Sequence, residues 1–198
     1  MQNFVQHSTM IDDTSDLGID WKAYLDRGRQ AQVPKPAEAF FHQMRFQVSI
    51  LEGALINYYA ANKRSLDSPA SFTVISKRLA SSRSVAHEAE LLLKLVNRFV
   101  KIAEKETDFE ESKAARITDI FKAKHPEIAR VRNNFAHLDE RVSSDRSRGE
   151  PTLFAIENGH AVSRNKNGET QRVSLLPDLL HDAIEMVDGI AELYTLKN

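Results

Sequence analysis

The chain has 198 residues, a length that suits one domain. Its formal net charge of −1, with 28% charged and 41% hydrophobic residues, lacks the basic excess of a protein that coats nucleic acid regardless of sequence, but leaves room for a small basic site. Cysteine is absent, which removes disulfides, thiolate metal sites and a cysteine nucleophile. No stretch approaches the roughly 20 apolar residues of a membrane span, and the first 15 residues lack the apolar run of a signal peptide, so a cytoplasmic protein with no membrane partner is expected.

Residues 1–18 read as a flexible polar leader, and 19–198 as one helical domain. Residues 20–32 carry Trp21, Tyr24 and Leu25 at helical spacing, and Pro34 and Pro36 break the chain after them. From Pro36 to about Lys63, Phe41, Met44, Val48, Leu51, Leu55 and Tyr58 recur in steps of three and four, the pattern of an amphipathic helix. Residues 65–83 read as a Ser-rich connector with a helical turn near Val74. A helix is expected over 84–106, with Leu91, Leu95, Phe99 and Ile102 inward and Lys94, Arg98, Lys101 and Lys105 as a basic stripe. Another is expected over 109–124, and one from Pro126 to about Val142 with Ile128, Val131, Phe135, Leu138 and Val142 apolar.

After the polar loop 143–150 the period changes. Two short strands flank Asn158-Gly159, the strongest short hairpin signal, and Thr170 to Ser174 reads as a third strand. Pro177 opens a last helix to about Leu196, whose Asp178, Asp182, Glu185, Asp188 and Glu192 form an acidic stripe that matches the basic one, so the basic stripe pairs with it or guides an RNA backbone. The fold expected from this order is all-α: an antiparallel four- to five-helix bundle, with a small β-hairpin insert at about 150–174 before the C-terminal helix.

The helix from Pro126 carries the candidate chemistry. Turning about 100° per residue, its apolar positions fall in a sector of about 80°, with Arg132 and Asp139 on one flank and Asn133, His137 and Glu140 further round. Asn133 and His137 lie one turn apart and are neighbours. A histidine gives and takes protons near neutral pH, an arginine fork matches phosphate oxygens, and an asparagine orients a hydroxyl or phosphate oxygen. Together they suit cleavage of an RNA phosphodiester without metal or other cofactor. One histidine does not readily serve both sides of the phosphate. A C2 dimer would bring a second copy of the patch to the same cleft.

The string Arg132-Asn133-Asn134-Phe135-Ala136-His137 resembles the R-x4-6-H motif of the HEPN superfamily, including the polar residue directly after the arginine. The wider RNNFAHLDER looks like versions in bacterial HEPN families linked to toxin–antitoxin and phage-defence loci. The resemblance implies a four- to five-helix bundle, a homodimer with the motif facing the dimer cleft, and metal-independent endoribonuclease activity. It assigns Arg132 and His137 as catalytic, with Asn133 and Asp139 beside them, and implies an RNA substrate and a protein antitoxin or defence partner. Asp139 stands where some HEPN families have an aromatic residue, which argues against the subgroup paired with nucleotidyltransferase antitoxins.

Arg141, Arg146, Arg148, Arg164 and Lys166, with Arg172, follow the motif and decorate the insert, forming a candidate RNA path. DNA is the less expected ligand. The other histidines show no metal-ligand spacing. Glu52, near the apolar face of the first long helix, reads as a rim carboxylate paired with a base, or as a group reaching Arg132 or His137. Two further readings stand beside cleavage: a non-catalytic HEPN-like module binding RNA, a nucleotide or a protein, and a structural dimerisation module. Residue by residue, the plain readings are a solvent-facing or interface His137 without chemistry, and an Arg132 that snorkels along the core edge and pairs with Asp139.

Overall fold

A computed structural model describes residues 17–67, 71–105, 111–136, 154–164 and 169–194. Among them are six helices and three strands, so the chain is mostly helical with a small antiparallel sheet. The helices are α1 (Trp21–Gln30), α2 (Lys35–Asp67), α3 (Phe72–Ala103), α4 (Glu111–Lys124), α5 (Ile128–Ala136) and α6 (Pro177–Glu192). The strands are β1 (Phe154–Glu157), β2 (His160–Arg164) and β3 (Thr170–Ser174), paired in the order β1-β2-β3.

Asp20 caps α1: its carboxylate accepts from the Ala23 amide at 2.9 Å. Residues 1–16, most of the expected leader, lie outside the described residues. Leu17, assigned to that leader, is 5% exposed and belongs to the core, and its carbonyl meets His181 Nε2 at 3.2 Å.

α2 and α3 run in opposite directions along much of their length. Gln47 Nε2 donates to the Glu88 carboxylate at 2.6 Å near one end, and the Phe41 and Phe99 rings meet in a tilted contact at 6.0 Å between centroids further along. All six predicted core residues of α2 are buried. α3 departs from expectation in two ways. It begins at Phe72, so most of the expected connector is helix. Its buried face is Val85, Ala89, Leu92, Val96 and Phe99, one residue round from the predicted Leu91 and Leu95, which are only half-buried. Serine favours non-helical backbone when exposed alone. Here the Ser81 and Ser84 hydroxyls donate back to the carbonyls of Lys77 and Ala80, while Ser82, Val85, Ala86 and Ala89 pack as a buried small-residue seam. Tertiary packing overrides the weak local propensity.

The hairpin forms as predicted. Asn158 and Gly159 both take positive φ, 49° and 73°, as a type I′ turn demands. The sheet packs on α5 and α3, and Glu127, just before α5, accepts the Arg172 amide of β3 at 2.6 Å. Burial pushes the Tyr24 and Tyr59 phenols above their ordinary range. Both remain donors, Tyr24 to the Arg45 carbonyl at 3.1 Å and Tyr59 to the Leu175 carbonyl at 2.8 Å.

The acidic residues of α6 do not meet the basic stripe of α3. Asp182 takes Lys124 at 2.6 Å and His125 at 2.9 Å, Glu185 takes Lys124 at 3.5 Å, and Asp188 takes Arg27 and Arg45. α6 packs against α4, α2 and α1, and Asp182, Glu185 and Asp188 find their partners on or beside those helices. No described helix is long and apolar enough to cross a membrane.

Candidate functional site

α5 presents Ile128 and Val131 to the core, and both are buried. The same geometry leaves Arg132 half-buried on the flank and Asn133 exposed, as the helical wheel predicts. Arg132 is held by a residue that sequence reasoning did not select. Its Nε lies 3.0 Å from Glu90 Oε2 on α3. Glu90 is 7% exposed, and its other oxygen meets Lys94 Nζ at 2.9 Å. A buried carboxylate is costly unless charge and hydrogen bonds compensate it. Here two cations do so, one on its own helix and one across the helix interface.

Arg132 Nη1 also donates to Asn133 Oδ1 at 3.1 Å. The Asn133 bond uses one guanidinium N–H and Glu90 is ion-paired at Nε, so among the described residues both N–H groups of Nη2 are left to meet a phosphate. Tying an arginine through Nε fixes the plane of its fork and lowers the entropy lost when it grips an oxyanion.

His137 follows directly on Ala136, the last described residue of α5. It lies outside the described residues, as do Asp139, Arg141, Arg146, Arg148 and Lys166. Arg164 ends β2, but its side chain is likewise outside. Of the predicted site, the structure therefore places Arg132 and Asn133 and brings them together. Arg172 lies on β3 with an exposed side chain, while its amide is bound to Glu127. Glu52 does not reach Arg132: it accepts from Trp21 Nε1 at 2.9 Å and ties α1 to α2. Glu90 left one faint signal in the sequence, an acidic residue inside the apolar run Ala89 to Val96. Its direction depends on the rotation of α3, which packing sets and the run of apolar residues does not.

A second cluster closes the corner between α4 and α5. His125 is buried against the Phe121 ring, 4.9 Å between centroids, and its Nε2 meets Asp182. Burial alone would raise the Asp182 pKa, but hydrogen bonds from Lys124 and His125 and their charges outweigh it and hold the carboxyl below its ordinary value. The carboxylates in turn raise Lys124, chiefly through the Asp182 hydrogen bond.

A cavity of about 460 Å³ opens between these clusters. Leu93, Ile128 and Pro126 line its apolar part, and Asn97, Lys94 and Lys122 its polar part. Glu90 and His125 also border it, so one carboxylate faces both the cavity and Arg132. Among the described residues no three metal-ligating side chains converge.

Compared with known proteins, the chain matches no family model, no curated protein and no solved structure.

Proposed function

We propose that the chain is a metal-independent endoribonuclease of the HEPN type, an antiparallel helical bundle acting as a homodimer. The observation that carries this reading is the buried Glu90 carboxylate, which holds Arg132 beside Asn133, four residues before His137 in the sequence. In this mechanism His137 acts as general base on the RNA 2′-hydroxyl, whose oxygen attacks the adjacent phosphorus. Arg132 stabilises the charge on the pentacoordinate phosphorane, and Asn133 helps orient it. His137 of the second subunit protonates the 5′-oxygen as it leaves. The products are a 2′,3′-cyclic phosphate and a free 5′-hydroxyl. DNA lacks the attacking hydroxyl and is not cleaved this way. Asp139 is a further candidate for orienting the histidine, and Arg141, Arg146, Arg148, Arg164 and Lys166 would guide the strand. A cytoplasmic toxin or phage-defence effector, restrained by a protein partner, is the role this activity fits.

One observation favours a second reading. Arg132 is already paired with Glu90 and Asn133, as in a purely structural tie between helices. A non-catalytic HEPN-like module would then bind RNA, a nucleotide or a protein without cutting.

The test is incubation with assorted RNAs in EDTA, beside the His137→Ala and Arg132→Ala variants and a measurement of solution mass. The proposal expects a dimer, cleavage by the wild type, cyclic-phosphate ends, and loss of cleavage in both variants. Retained RNA binding without cleavage favours the second reading. Cleavage that survives loss of His137 removes the mechanism.

A further inference from the structure

We infer that the cavity between α3 and the first turn of α5 receives one nucleotide of the RNA strand next to the scissile phosphate, and so sets base preference. This rests on the ribonuclease reading for its strand and extends that reading to a pocket outside the motif. The cavity volume, about 460 Å³, falls in the range of small-ligand sites. Its walls divide as a nucleotide does. Leu93, Ile128 and Pro126 supply apolar surface for the faces of a base. Asn97, exposed on α3, offers a donor and an acceptor on one planar amide, the arrangement that reads a base edge. Lys94 and Lys122, both exposed, stand at the border; Lys94 is paired with Glu90 at 2.9 Å and Lys122 with Asp119 at 3.4 Å, so a phosphate would be gripped by exchanging the exposed Lys122–Asp119 pair, which is weak in water.

Position favours a strand over an isolated ligand. Ile128 of the cavity and Arg132 lie four residues apart on α5, about 6 Å along the helix axis. Glu90 belongs to both sites, and Arg132 and Lys94 neutralise its charge, so it does not leave a bare carboxylate to repel a phosphate. Cleavage in a single-stranded segment exposes bases that are free to enter such a pocket. The tie of His125 to Asp182 fixes the α4–α5 corner that carries Lys122 and Pro126, and makes His125 a positioning residue for this pocket.

The experiment has two arms, each run on the wild-type protein, Asn97→Ala and Leu93→Trp. One measures binding of the four nucleoside 5′-monophosphates by calorimetry. The other sequences cleavage ends from a randomised RNA. Circular dichroism checks folding, and the exposed Asn97 gives a variant with little structural risk should the tryptophan disturb packing. The inference expects one base to be favoured beside the cut, and both variants to flatten that preference by about tenfold and weaken the matching monophosphate similarly. RNA cleavage with a preference untouched by either variant overturns the pocket and leaves the ribonuclease reading standing. Monophosphate binding that needs Asn97, with cleavage preference unchanged, makes the ligand a free nucleotide and overturns the strand assignment. No cleavage at all, with monophosphate binding lost in both variants, overturns the ribonuclease reading and its strand while the nucleotide pocket stands.

Discussion

Two carboxylates show how this chain uses buried charge. Asp188 on α6 takes Arg27 at 2.5 Å and Arg45 at 3.2 Å, and the Arg45 guanidinium also bonds the Tyr24 carbonyl and lies 3.8 Å from the Tyr24 ring centroid. Gly28 lets this guanidinium approach α1, because a Cβ there would overlap it. Arg45 is buried, so removing its counter-charge strands a cation. Asp188→Ala is expected to lower unfolding free energy by about 3–5 kcal/mol, read from urea denaturation. Glu90 plays the parallel part at the candidate site, where its role is to position Arg132. Glu90→Gln keeps the shape and removes the charge. On the proposed mechanism it lowers kcat by up to about 100-fold with little change in KM, and a purely structural tie would change neither. Steady-state kinetics on a defined RNA decides between them.

At the scale of elements, the hairpin and α3 obey different rules. The hairpin is local: Gly159 sits at φ 73°, and its carbonyl accepts the Leu175 amide at 2.8 Å. A Cβ added there would meet Leu176 Cδ2 at 2.5 Å as well as the left-handed backbone penalty. Gly159→Ala is therefore expected to cost about 1–2 kcal/mol in thermal or chemical unfolding. The asparagine–glycine pair announces this turn because its backbone demand is met within the turn itself. α3 obeys its partner. Its N-terminal half is rich in serine and reads as a connector in isolation, yet it is helical where it lies along α2. Its buried face also lies one residue round from the expected Leu91 and Leu95, and that rotation brings Glu90 under α5.

Across the molecule, ionic ties join segments far apart in sequence. Lys124 and His125 at the end of α4 bind Asp182 on α6, and that junction frames the cavity and the start of α5. Asp182 is held below its ordinary pKa of 3.8, so folding favours its ionised form. The stabilisation is fully present above pH 3.8 and is lost as pH falls through the lower folded value. Asp182→Asn is thus expected to melt below the wild type at neutral pH, with the gap closing in stronger acid. Melting curves for both proteins down the acid range measure it. A gap that stays constant with pH would show that the tie contributes shape and not charge.

The sequence by itself determined the apolar face of α2, the tight hairpin turn at Asn158-Gly159, the third strand and the place of Arg132 on the flank of α5. Each follows from spacing or from a backbone conformation that few residues tolerate. The bond from Arg132 to Asn133 came only from the structure, because adjacent residues on a helix do not face each other by geometry alone. Only the tertiary structure decided which carboxylate holds Arg132, because that choice depends on the rotation and length of α3, set by packing on α2. It decided as well that the acidic face of α6 meets α1, α2 and the end of α4. Charges of opposite sign on two helices carry no information about which helices are adjacent. The cavity beside Glu90 belongs to the same class: it is built from α3, α4 and α5 together, and no single segment encodes it.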